Sequence, residues 1–399
     1  MANKQLSEVY SSDATLYLYT ADMTFVLNGE THNIEPSNIT SIIIDHDYVN
    51  NNMPMIFTNI TISSQLLDLM LENQDAGKII FTLKRAVANS DMPGLFTDYI
   101  TDEFIYFITD STSEMMNEGI TYKQTTLGLL SLNCINKNKK LLNGVVSGNL
   151  TSLMYYVTGH MPVVIEPPSN NIVFENRILP PMNSISKMLS YINSLNVFYD
   201  TPYRFYIDFD CAYLLSSSGK AVKKDGEKIN TILLNFKNDY DMAVKSKGMY
   251  IDESKSLLEI IIDEEDYEIS DDHNLEKSYS KVTATNASGK VSSKHVSVND
   301  HSNIVEKTRS IRVMNDNDGL LDNIVASAKQ STLRIMAQKE YIDSSDITLN
   351  KEYVVKMDEI YNYEDYNGRY LLVRKRDIFI RTDDQFTSTT MLMLDKVPT

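Results

Sequence analysis

Between positions 56 and 62 the chain reads Ile-Phe-Thr-Asn-Ile-Thr-Ile, so Ile56, Thr58, Ile60 and Ile62 alternate with Phe57, Asn59 and Thr61. Successive side chains of a strand point to opposite faces, and a period of two does not suit a helix, so this segment is a β-strand. The signature recurs. Leu16, Leu18 and Thr20 alternate with Tyr17 and Tyr19, and Ile39 to His46, Lys78 to Lys84, Phe104 to Ile108 and Thr121 to Leu132 also read as strands. Phe25 to Leu27 runs into Asn28-Gly29-Glu30, a strong hairpin signal. One helix interrupts the series: Ser64 is placed to cap a stretch with Leu66, Leu67, Met70 and Leu71 on one face, and Gly77 ends it. The hydroxyl-rich strand around Thr125 and Thr126 suits a sheet with one wet face. Up to about residue 130, the pattern predicts a small antiparallel β-barrel or sandwich with one inserted helix.

The texture changes from about 136 to 225. Leu150 to Val157 reads as a helix, and Pro162, Pro167 and Pro168 break structure. Pro180-Pro181 are expected to open a helix carrying Met182, Ile185, Met188, Leu189, Ile192 and Leu195 at three- and four-residue spacing. Tyr203 to Phe209 and Tyr213 to Leu215 then read as strands, and Gly219 to Gly226 as a charged turn. The remainder returns to β. Ile229 to Phe236 and Leu257 to Ile262 are expected strands, Asp263 to Asn274 is acidic, and Ser278 to His301 reads as an exposed extended loop or weak hairpin. Asp318 is placed to cap a helix from Gly319 to about Tyr341, with Leu321, Ile324, Val325, Ala328, Ile335 and Met336 on one side. Three strands close the chain, Thr348 to Met357, Arg369 to Arg381 and Phe386 to Leu394. Element order thus suggests β-rich material with one helix twice, around a mixed middle.

With 399 residues the chain exceeds one ordinary core, so two or three domains are expected. Hydrophobic residues at 42% argue against global disorder. A formal charge of −17 makes a surface that grips DNA or RNA a poor expectation, because phosphate binding depends on Lys and Arg. Cys134 and Cys211 belong to no metal or redox spacing and are expected to be reduced and buried. No signal peptide and no membrane span are expected, so the Asn-x-Ser/Thr triplets at Asn38, Asn59, Asn149 and Asn286 read as chance matches.

Candidate chemistry is sparse. Two acidic groups invite a cation: Asp263, Glu264, Glu265, Asp266, Asp271 and Asp272, and then Asp316, Asp318 and Asp322 around Gly319. Placing Gly319 at the sixth position of an EF-hand loop puts Met314 first and Val325 twelfth, so both required ligands fail. The first group has no ligand register. None of the six histidines, His32, His46, His160, His273, His295 and His301, has zinc spacing, and there is no nucleophile elbow or phosphate loop. Asp208 and Asp210 sit on one side of an expected strand, which would suit paired carboxylates but better suits a wet strand face. Arg374, Lys375, Arg376 and Arg381 make the C-terminal strands locally basic. They are expected to be solvated beside Asp377, Asp383 and Asp384 or to meet an acidic neighbouring subunit, rather than nucleic acid. No catalytic, cofactor or metal residue is assigned.

Three stretches together resemble the baseplate (tail) hub proteins of contractile-tailed bacteriophages and related contractile injection systems. They are ITSIIIDHDYVNNNMPMIFTNITIS with the helix and KIIFTLKR after it, then PPMNSISKMLSYINSLNVFYDTPYRFYIDFDCAYLLSSSG, and the ending NGRYLLVRKRDIFIRTDDQFTSTTMLML. The resemblance covers most of the chain as a pattern of segments. It implies a β-rich α+β chain with two tail-tube-like antiparallel β-barrels and a mixed α/β middle domain. Residues 1–135 would form the first barrel, 136–225 the middle domain joined by 263–310, and 226–262 with 311–399 the second barrel. It further implies a homotrimer whose six barrels match a six-fold tail tube above and a three-fold central spike below. Tape measure and baseplate wedge proteins are further implied partners, the location is the virion tail baseplate after assembly in the host cytoplasm, and DNA passes through without specific binding. Acidic side chains lining the channel would keep that DNA from sticking. Other readings are a distal-tail or other tube-like protein with one barrel, a virion-associated peptidoglycan hydrolase, and a receptor-binding adhesin.

Overall fold

The computed structural model describes residues 17–87, 96–117, 120–159, 161–195, 198–199, 203–216, 230–236, 249–251, 279–285, 291–297, 307–312, 334–340, 344–351, 353–357 and 367–397. The N-terminal part contains β1 (Tyr17–Leu27), β2 (Glu30–Ile34), β3 (Ile39–Asp47), β4 (Met55–Ser63), α1 (Ser64–Glu72), β5 (Lys78–Val87), β6 (Thr97–Asn117) and β7 (Ile120–Ser131). The β1–β2 turn is the one the sequence dictates: Leu27 pairs with Glu30, and Asn28 and Gly29 both take positive φ, 51° and 88°. A two-residue turn of that kind matches the twist of its flanking strands. The cap of α1 is Ser63, one residue earlier than expected, whose hydroxyl accepts from Leu66 N at 3.3 Å.

The middle part contains α2 (Leu132–Asn138), β8 (Leu142–Gly148), α3 (Leu150–Thr158), β9 (Val163–Ile165), β10 (Phe174–Met182), α4 (Ile185–Leu195), β11 (Tyr203–Ile207) and β12 (Ala212–Ser216). β8 pairs with β10, and β12 lies between β11 and β9. Asn149 caps α3. Pro180 and Pro181 do not open α4. They fall in the register shift of β10 between Leu179 and Met182, on a strand with one partner, where a missing N–H costs no ladder bond. The helix begins after Ser184, whose hydroxyl accepts from Lys187 N.

The C-terminal part contains β13 (Asn230–Phe236), β14 (Met249–Ile251), β15 (Tyr279–Thr285), β16 (Val291–Ser297), β17 (Lys307–Arg312), β18 (Arg334–Glu340), β19 (Tyr353–Met357), β20 (Gly368–Thr382) and β21 (Gln385–Lys396). The stretch 278–301 therefore holds a real hairpin, which β17 extends into a three-stranded sheet beside α4. The expected helix over 319–341 is corrected at its end. Arg334 to Glu340 is a strand paired along its length with β21, and Ile335 and Ala337 are buried on alternate positions. Ile335 and Met336 fit a helical stripe equally well in sequence; the long partner strand decides between them. The closing strand expected from Thr348 starts only at Tyr353, whose hydroxyl bonds both Thr348 N and O at 2.9 Å and closes a turn. The expected turn 219–226, the strand 257–262, the acidic stretch 263–274 and the cap at Asp318 lie outside the described residues.

One sheet of thirteen strands runs in the order β19-β13-β14-β18-β21-β20-β3-β4-β7-β6-β5-β1-β2. Two extra pairings bend it back on itself. Tyr19 of β1 meets Phe386 of β21, closing a first circuit through β21, β20, β3, β4, β7, β6, β5 and β1. β19 meets β20 at Tyr353↔Tyr370, closing a second circuit through β13, β14, β18 and β21. β20 and β21 serve both.

The first circuit is filled by side chains, among them Tyr19, Phe25, Phe81, Phe104, Phe379 and Phe386, with Leu67 and Met70 from α1. The second holds Tyr353, Tyr370, Leu372, Leu392 and Leu394, joined by Tyr206 and Leu215 of the middle part. A third core packs α3 and α4 against β10, β11 and β12. Among the described residues no helix is long and apolar enough to cross a membrane.

Candidate functional site

β3 and β20 run antiparallel in the shared wall, with Arg374 opposite Asp47, Lys375 opposite His46, Arg376 opposite Asp45 and Asp377 opposite Ile44. A bulge at Val373 decides which charges go inside. Tyr370 and Leu372 face the second core; the extra residue switches parity, so that Lys375, Asp377 and Phe379 face inward and Arg374 and Arg376 face out. β21 has no bulge and keeps Phe386, Ser388, Thr390, Leu392 and Leu394 buried throughout. A belt of buried polar groups therefore separates the two apolar cores.

On the outer side, Asp45 is 4% exposed and takes bonds from Arg374 Nε at 2.7 Å, from Arg374 Nη2, and from Arg376 Nη2 at 2.9 Å. Burial alone would raise its pKa. The bonds and charges of the two guanidiniums outweigh that and hold the carboxyl below its ordinary range. Asp47 ends β3 by accepting from Val49 N and from Asn50 N and Nδ2.

On the inner side, Lys375 donates to the carbonyls of Ser344 and Ile347 at 3.3 Å and lies 3.8 Å from Asp377, which accepts from the Thr390 hydroxyl at 2.6 Å. His46 Nδ1 sits 3.3 Å from the Tyr206 hydroxyl and 3.7 Å from Asp208 Oδ1. Burial pushes the His46 pKa down, with Asp208 opposing. Burial likewise pushes the Tyr48 and Tyr206 hydroxyls up, and their rings meet edge to face at 4.7 Å. Arg204 reaches the carbonyl of Leu372 at 2.9 Å, its pKa lowered by burial to about 10. β11 and the turn after it thus fasten the middle part to the wall. The arrangement holds three cores in register; its charges lie among buried partners rather than around an open cleft.

Against that geometry, Asp208 and Asp210 are not neighbours on a strand face. They occupy the β11–β12 turn, where Asp208 turns toward His46 and Asp210 is exposed. The basic string is also corrected: Arg374 and Arg376 are partnered within the chain by Asp45, and Lys375 is buried rather than solvated. Arg381 stays near the surface, 3.8 Å from Asp384 and over the Phe386 ring. Cys134 is buried, its thiol pushed up to about 11 by burial, while Cys211 is half-buried; both are free. His32 stacks on Phe25, and His295 lies in β16. His160, His273, His301 and both acidic groups, 263–272 and 316–322, lie outside the described residues. Among the described residues no three His, Cys, Asp or Glu side chains are grouped to hold a metal ion. The junction was not singled out from sequence, although Asp45-His46-Asp47 and Arg374-Lys375-Arg376-Asp377 are charged runs inside otherwise apolar strands.

A tail protein from Neisseria meningitidis superposes on the chain with a TM-score of 0.50 at 12% identity, over 94% of this chain and 97% of its own. The two share a fold. Lower similarity is found to the 43 kDa tail protein of prophage MuSo2 from Shewanella oneidensis (TM-score 0.44, 11% identity, 95% and 100% covered). It is also found to the E. coli c3393 protein, a type VI secretion component structurally similar to the T4 bacteriophage tail proteins gp27 and gp5 (TM-score 0.42, 8% identity, 94% and 77% covered). No protein-family model and no curated protein sequence matches the chain. The chain's structural neighbours are thus phage tail and type VI secretion proteins, and its described residues are β-rich with few helices.

Proposed function

We propose that this chain is a structural hub of a contractile tail baseplate and carries no enzymatic activity. The observation that carries the reading is the double closure of one sheet, through β1–β21 and β19–β20. Each circuit is read as one tail-tube-like barrel, so a single chain offers two similar edges. Three chains in a closed ring then present six, which reconciles a six-fold tube with a three-fold spike. The domain division that follows is 1–135, 136–225 with 263–310, and 226–262 with 311–399, with β20 and β21 also completing the first barrel.

Both circuits are filled with side chains, which supports a channel between copies rather than through one chain. In this reading the partners are two further copies, the tail tube, the central spike, and tape measure and wedge proteins. The location is the virion tail, and DNA passes without being held. The shared fold with a tail protein supports the structural role. The test is electron microscopy of the purified full chain with its spike partner. A three-fold ring with six lobes is expected; a six-fold ring of single lobes would move the reading to a tube or distal-tail protein. Peptidoglycan clearing in a zymogram would overturn the non-enzymatic part.

A further inference from the structure

We propose that the sheet β15–β17 is the surface by which one copy of this chain grips the first circuit of the next copy; this rests on the ring proposed above. The strands YSKVTAT, VSSKHVS and KTRSIR contain Lys281, Lys294, Lys307, Arg309 and Arg312 and no Asp or Glu, in a chain whose formal charge is −17. Register gathers part of that charge. Val282 pairs with both Lys294 and Arg309, and the adjacent Ser280 pairs with Lys307, so three basic positions occupy one face in two neighbouring rows.

The opposite charge is on the first circuit. Between residues 17 and 131 the basic side chains are Lys78, Lys84, Arg85 and Lys123, and Lys78 and Lys84 already pair with Glu103 and Asp22. Asp68, Glu72, Asp75, Asp98 and Asp110 are exposed on it. In the ring proposed above, these two charges would meet at a copy boundary. The basic sheet is inserted between β14 and β18, both strands of the second circuit, and pairs with neither. In a head-to-tail ring, the second circuit of each copy meets the first circuit of the next. A basic element carried by one and an acidic surface on the other give the contact a direction and select the partner by charge.

The test is the assembly state of the full chain by light scattering on a sizing column, at about 0.1 M and about 1 M salt, where screening lengths are about 10 Å and 3 Å. The triple variant Lys294→Glu, Lys307→Glu, Arg309→Glu should shift the equilibrium at least tenfold toward monomer at low salt. Adding Asp68→Lys and Glu72→Lys to the same chain should restore the ring, a rescue that only a folded protein gives. A triple variant that assembles like the unaltered chain overturns this inference and leaves the hub reading standing. An unaltered chain that is monomeric in every condition overturns the ring and the inference with it. If the triple variant loses binding to a DNA duplex, read by anisotropy, while assembling normally, the sheet contacts nucleic acid and the inference is wrong.

Discussion

Replacing Asp45 by Ala tests whether the paired wall charges hold the shared wall together. The carboxylate is buried and takes three bonds from two guanidiniums. Removing one partner of a buried ion pair costs about 3–5 kcal/mol, because the other charge is left without compensation. Here the stranded partners are Arg374 and Arg376, whose side chains are 31% and 35% exposed and can recover part of their hydration. The expected loss is therefore about 2–3 kcal/mol. Asp45→Asn keeps the shape and gives up the charge, and should lose about 1–2 kcal/mol. The chain has no Trp, so urea unfolding is best followed by circular dichroism. With a slope of at least about 2 kcal/mol per molar, the first transition of Asp45→Ala should move down by about 1 M. Hydrogen exchange should show β3 and β20 losing protection first. A loss under about 0.5 kcal/mol with unchanged protection would refute the reasoning and make the pair a solvated surface contact.

Lys375→Met should destabilise by about 3 kcal/mol because it strands buried Asp377, whereas Lys375→Met with Asp377→Leu should be much closer to neutral; chemical denaturation of both variants checks the order. A Cβ on Gly128 would lie 2.2 Å from the Phe107 ring, so Gly128→Ala should cost about 1–3 kcal/mol, and far less when combined with Phe107→Ala. A thermal double-mutant cycle without that coupling would contradict the contact. His46 has a folded pKa below the unfolded value of about 6.5, so the unfolded chain binds more protons and stability falls as pH drops below about 6.5. Midpoints measured at pH 7 and pH 5 should differ less in His46→Gln than in the unaltered chain.

How much of this was legible in sequence depends on whether the deciding contact was local. The Asn28-Gly29 turn, the alternation of Ile56 to Ile62 and the stripe of α4 at Met188, Leu189 and Ile192 are set within a few residues, and each appears where the pattern puts it. Arg334 to Glu340 carries apolar residues that suit a helix stripe as well as a strand face, and only pairing with β21 some 50 positions later resolves it. The junction was hidden for the same reason. Nothing near Arg374 in sequence announces Asp45, and nothing in RYLLVRKRD marks Val373 as the bulge that sends Lys375 inward.

That bulge bears on how one chain closes two circuits. Two strands that serve two cores must present apolar residues to each, and a plain alternation on β20 would carry the inward parity of Tyr370 and Leu372 on to Arg374 and Arg376, burying both guanidiniums. The extra residue exchanges them for Lys375 and Asp377, which neutralise one another and take bonds from or give bonds to Thr390, Ser344 and Ile347. A buried pair of this kind adds little net stability compared with apolar residues of the same size. Its effect is on register: a one-residue slip of β20 against β3 would turn Lys375 and Asp377 outward, bury the Arg374 and Arg376 side chains, and separate both from Asp45. The polar belt therefore penalises the misregistered wall far more than it stabilises the correct one. A deletion of Val373 should accordingly cost more than any single charge substitution in the belt, with the exchange protection of β18 and β21 falling together.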